Sequence, residues 1–210
     1  MGLLLLGTGV AALFEGQAFW MVAHPEYWVH PAQTLICGAM LLRFWRRYRF
    51  GPARGVLFTL AVAVIAFVLW VAPQMFFGQA PRLEGFDPAY FGATGLPYWL
   101  NLAFRFLRLV LVVPLVEELF WRGFLLRWLI RDDFLQVPFG AFTWKSFGLV
   151  TLFFMLEHQR SDWPAAFLTG ALFNVVAYRT RSLSSCVLVH AITNAMLGIY
   201  ILWTRQWGFW

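Results

Sequence analysis

Charge is scarce in this chain: only 12% of its 210 residues are Asp, Glu, Lys or Arg, while 61% are hydrophobic and 20% aromatic. Soluble domains carry about a quarter charged residues, so a water-soluble globular fold is excluded and a polytopic membrane bundle is expected. Cysteine is nearly absent. Cys37 and Cys186 sit in apolar stretches without CxxC spacing, which excludes a disulfide framework or a thiolate metal site and leaves two small buried hydrophobes. Acids are fewer than bases, 10 against 16. The surplus of cations does not indicate nucleic acid, because the Lys and Arg residues gather at the ends of apolar runs, where the positive-inside rule puts them. The implied partner is the lipid bilayer. No internal repeat or heptad array occurs, so inverted-repeat transporter architecture has no support.

Seven apolar runs are present, at 3–23, 32–42, 55–77, 98–130, 146–158, 164–178 and 183–203. At about 20 residues per span they predict an all-α, single-domain bundle of about seven spans over 1–210. The first run lacks a basic n-region and an A-x-A site, so it reads as a retained span. The fourth is too long for one straight span, and Pro114 within it should bend the helix. Arginines at 43, 46, 47, 49 and 54, then Arg127, Arg131 and Lys145, then Arg179 and Arg181, mark alternate loops. Seven spans with a cytoplasmic N-terminus satisfy that bias. The loop 78–97 is the longest and reads as an external lid or an ordered surface connection.

Against this apolar background a few polar residues stand out. Ionisable groups in hydrocarbon cost about 2.5–3.5 kcal/mol each even on lenient scales, so a chain that keeps several has a use for them. Glu118 and Arg122 are i and i+4 on one helical face, while Glu117 points about 100° away. One carboxylate can therefore be held by the guanidinium while its neighbour stays free, and two adjacent carboxyls in a low-dielectric cavity do not both ionise easily, which suits Glu117 to act as a general base. The bland alternative is a structural ion pair beside a carboxylate facing a vestibule. Phe154 and His158 share a face, and the imidazole is suited to joining in water activation, although a lone histidine at a span end is more often a polar anchor. Glu157 reads as a boundary charge. His190 and Asn194 are again i and i+4, able to present two N–H donors to one oxygen as in an oxyanion hole, or to bond helices together. Ser182, Ser184 and Ser185 read as helix-start caps. His24, Glu26 and His30 could hold a metal, but their Pro and aromatic neighbours favour an interfacial loop.

Taken in order, the motifs EExxxR (Glu117, Glu118, Arg122), FxxxH (Phe154, His158) and HxxxN (His190, Asn194) resemble the CAAX protease and bacteriocin-processing family of glutamic intramembrane endopeptidases. The compact, Trp-rich chain is similar to members associated with exosortase-like sorting systems. The resemblance covers about 111–198, which it implies are the catalytic core helices of a bacterial inner-membrane protein, with 1–100 as family-variable N-terminal spans. It implies that Glu117 and His158 activate the hydrolytic water, that Glu118 and Arg122 organise the first motif, and that His190 with Asn194 stabilises the oxyanion. The implied partner is a peptide or protein with a membrane-associated segment or C-terminal tail, cut without a cofactor. A carboxylate–His–His set could also hold zinc, but H-E-x-x-H is absent, so metal-free hydrolysis is preferred. A noncatalytic immunity or scaffold protein is the rival outside enzymology, and a proton-coupled carrier is a further one.

Overall fold

The computed structural model describes Met21 and residues 24–210; the expected first span, 3–23, lies almost wholly outside them. All regular structure among the described residues is helical. Six main helices follow: α1 (Glu26–Phe44), α2 (Val56–Phe76), α3 (Leu96–Trp128), α4 (Trp144–Leu156), α5 (Trp163–Thr180) and α6 (Leu183–Thr204). Of these, α2, α3 and α6 are long and apolar enough to cross a membrane, and α4 is a shorter apolar helix. The chain is an integral membrane protein of all-α class, with three such spans among the described residues rather than a demonstrated seven.

α6 is the central post. It packs against α2, α5 and the middle of α3, while α4 lies along α5 and α1 packs on the first half of α3. Small residues allow the close approach: Ala63 and Ala66 of α2, Ala177 of α5 and Cys186 of α6 are buried in one cluster with Val150, Phe154, Phe173 and Val189. In lipid, where helices gain no hydrophobic advantage from meeting, such packing is what holds a bundle together. Helix starts follow their capping chemistry. The Thr143 hydroxyl accepts from the Ser146 N–H to open α4, and Ser182 accepts from the Ser185 N–H to open α6.

Pro114 leaves its mark in α3, though as widened turns. Two stretches, Leu107–Val112 and Leu119–Leu125, are wound as π-helix inside a helix that otherwise continues. The Val113 N–H reaches back five residues to the Arg108 carbonyl. In that register the next donor would be residue 114, which as proline has none, so the Leu109 carbonyl is left without a backbone partner.

The segment at 24–31 is not the interfacial loop expected from its prolines, because α1 starts at Glu26 and runs through Pro31. Tyr27 drives this: its ring stacks on Tyr90 and packs on Phe86, and its hydroxyl donates to the Asp87 carbonyl. The loop 78–97 is thereby docked as an ordered strap. Its Arg82 pairs with Asp162 and stacks on Phe209, its N–H donates to Gln206 Oε1, and its carbonyl accepts from the Gly208 N–H.

Candidate active site

α3 brings the two glutamates into the bundle in opposite circumstances. Glu118 is fully buried, and its Oε1 accepts from Arg122 Nη1 at 3.0 Å and from His190 Nδ1 at 2.9 Å. Glu117, one residue earlier, makes no hydrogen bond or ion pair among the described residues and is half-buried. Helical geometry separates the two side chains by about 100°. Glu118 is bound into the scaffold, and Glu117 is unbonded among the described residues.

Arg122 accounts for most of that scaffold. Besides Glu118 it donates from Nε to Asn174 Oδ1 at 3.1 Å and from Nη2 to the Gly170 carbonyl at 3.1 Å. Its planar face lies between the rings of Phe154 and Phe173, with centroids 5.1 and 5.5 Å from Cζ. A guanidinium removed from water costs several kcal/mol unless its nitrogens and faces find partners, and here each of the three nitrogens donates once and both faces are covered. Asn174 is oriented in turn by donating to Thr151 Oγ1 at 3.1 Å. A side chain at Gly170 would press on Phe154, the added Cβ lying 3.0 Å from the ring, so the ring would have to give way. The glycine therefore lets α4 come close enough for Phe154 to cover the arginine.

Phe154 has a second task. Its carbonyl lies 2.7 Å from His158 Nδ1. A carbonyl only accepts, so Nδ1 carries the hydrogen and the neutral ring presents its lone pair at Nε2. Trp70 of α2 tilts against the imidazole at 5.3 Å and Trp163 Nε1 donates to the His158 carbonyl. The rings of His158, Phe154, Phe173 and His190 follow one another at 4.9, 6.3 and 5.3 Å, an aromatic wall that joins the two histidines. His190 and Glu157 count among the electrostatic neighbours of Glu117, and His190 among those of His158. The three motifs share one electrostatic environment. Glu157 itself is exposed at the end of α4, as a boundary charge should be.

His190 and Asn194 do not share an acceptor. His190 is committed through Nδ1 to Glu118, and Asn194 Nδ2 donates to the Leu109 carbonyl at 2.9 Å. That carbonyl is the one orphaned by Pro114, so one N–H of Asn194 repairs the backbone of α3 and the other remains uncommitted. His30 departs from the metal-ligand alternative: it faces Arg105, whose Nη1 lies 2.6 Å from His30 Nδ1, while His24 bonds Glu26. No group of three or more His, Cys, Asp or Glu side chains among the described residues is arranged to hold a metal.

Asn174, Thr151 and Gly170 were not singled out by their sequence. Their only signal is a polar or small residue inside an apolar helix, which many packing positions share. No curated protein and no solved structure matches the chain. A family model does match, over residues 99–196, and its description is Type II CAAX prenyl endopeptidase Rce1-like. The matched residues hold all three motifs and the Asn174 that braces them, so it is this part of the chain that is similar to the Rce1-like type II CAAX prenyl endopeptidases.

Proposed function

We propose that the chain is an intramembrane endopeptidase that hydrolyses a peptide bond in the membrane-associated segment or C-terminal tail of its substrate, using water and no metal. The observation that carries this reading is the contrast between adjacent glutamates: Glu118 is tied to Arg122 and His190, and Glu117 is left unpaired beside them.

In this mechanism Glu117 takes a proton from a water that also donates to His158 Nε2, and the oxygen attacks the scissile carbonyl. No covalent acyl-enzyme forms. The developing oxyanion is met by His190, which donates from Nε2 while its Nδ1–H remains on Glu118, and by the uncommitted N–H of Asn194. Glu117 then returns its proton to the leaving amine, which closes the proton balance. Arg122 touches no reacting atom; it fixes Glu118, and through it His190.

The arginines at the 43–54, 127–145 and 179–181 connections support an orientation with those loops and the N-terminus on the cytoplasmic side of a bacterial inner membrane. Mass spectrometry of membrane proteins from cells with the wild-type chain or with Glu117→Gln tests the function. The proposal expects one or more substrates that keep their C-terminal tail only in the variant, and processing that survives a chelator. Identical tail profiles in both cells would contradict it, and loss of processing with chelator would contradict the metal-free mechanism.

A further inference from the structure

The arginine-rich end of the bundle contains a cavity away from the candidate active site. A cavity of about 620 Å³ opens where the start of α2 meets the end of α5, lined by Arg54, Gly55, Phe58, Tyr178, Arg179 and Arg181, with Thr180 at its floor. All three arginines are exposed, and none of their guanidiniums has an ion pair or hydrogen bond among the described residues. The cavity lining contains no acid.

Three like charges around one space repel one another, so ordinary packing would disperse them. The backbone does the reverse. Ser182 Oγ donates to the Pro52 carbonyl, Ser184 Oγ to the Gly51 carbonyl and Ser185 Oγ to the Arg54 carbonyl, at 2.7, 2.6 and 2.9 Å. The Arg54 N–H returns a bond to Ser185 Oγ at 2.9 Å. These bonds staple the segment before α2 onto the start of α6. Two left-handed residues, Gly55 at φ 58° and Arg181 at φ 50°, turn the chain at either edge of the cavity. The second is costly for a side chain with a Cβ.

We propose that this cavity binds the phosphate group of an anionic phospholipid. Basic recesses between helix ends at the membrane surface are suited to such headgroups, each nearby cation adding attraction. A lipid is favoured over free phosphate because the wall of the cavity continues into a greasy surface: Phe58 lines it, and Leu57 beside it on α2 is 84% exposed. Acyl chains have an apolar helix face to follow directly below the cations.

The test is retention of phosphatidylglycerol by the full chain purified in mild detergent, read by native mass spectrometry. Comparison is made with R54Q/R179Q/R181Q and with R43Q/R46Q/R47Q, which removes an equal charge from the end of α1. Wild type and the α1 variant should keep the lipid; the cavity variant should bind it about a hundredfold more weakly, and each single substitution about fivefold. Size-exclusion profiles establish that all variants are folded, and the singles serve where the triple is not. Equal retention by the cavity variant, or equal loss in the α1 variant, would overturn the site. Displacement of the lipid by inorganic phosphate at millimolar concentration would overturn the lipid assignment.

Discussion

Two arginines on α3 live in different surroundings, and the contrast shows what the site is built for. Arg122 has a carboxylate, an amide oxygen, a backbone carbonyl and two aromatic faces around it. Arg105, equally withdrawn from solvent, has no carboxylate paired with it among the described residues: it meets the ring nitrogens of His30 and the rings of Phe86 and Trp210, and its Nε has no partner there. Both are held, but only the first is balanced. A balanced buried charge fixes the geometry around it, because every competing arrangement strands a donor or an acceptor. At the other end of α3 such fixing is absent, and the arginine serves as a filler between rings.

Substitutions sharpen this contrast in descending order of effect. His158→Ala should lower peptide cleavage by about 10²–10⁴-fold with little change in stability, measured as turnover in nanodiscs beside an unfolding curve. Arg122→Met strands Glu118 in the core and should cost about 3–5 kcal/mol of stability in the same unfolding measurement. Asn194→Leu leaves the Leu109 carbonyl unpaired and should cost about 1–3 kcal/mol. Arg105→Met, of similar length and without the uncompensated charge, should fall within about 1 kcal/mol of wild type or gain slightly. If Arg105→Met proves as damaging as Arg122→Met, the distinction between balanced and unbalanced arginines collapses.

Much of this was legible in the sequence for simple reasons. Long apolar runs must be helical in lipid because every backbone N–H and C=O has to be satisfied within the segment. Thus 55–77 is found as Val56–Phe76, 183–203 as Leu183–Thr204, and the uncommonly long 98–130 as Leu96–Trp128. The i, i+4 spacing of Glu118 and Arg122 likewise translated directly into an ion pair, since both lie on one helix. What escaped depends on other helices. Asn174 matters only because α5 passes Arg122, and His190 finds Glu118 rather than sharing an acceptor with Asn194 because α6 crosses α3 at that height. Asn194 is spent partly on Leu109, a need created by Pro114 five residues along another helix. Turns and straps were also beyond local pattern: the 24–31 segment reads as a loop until Tyr27 is seen against Tyr90.

The unequal pair of glutamates is tested most directly by measuring cleavage and unfolding together for Glu117→Gln and Glu118→Gln in reconstituted protein. Glu117→Gln should lose at least about 100-fold in turnover while its unfolding free energy stays within about 0.5 kcal/mol of wild type. Glu118→Gln should lose stability along with activity. Wild-type turnover in Glu117→Gln, or a stability loss there equal to that of Glu118→Gln, would contradict the division of labour between them.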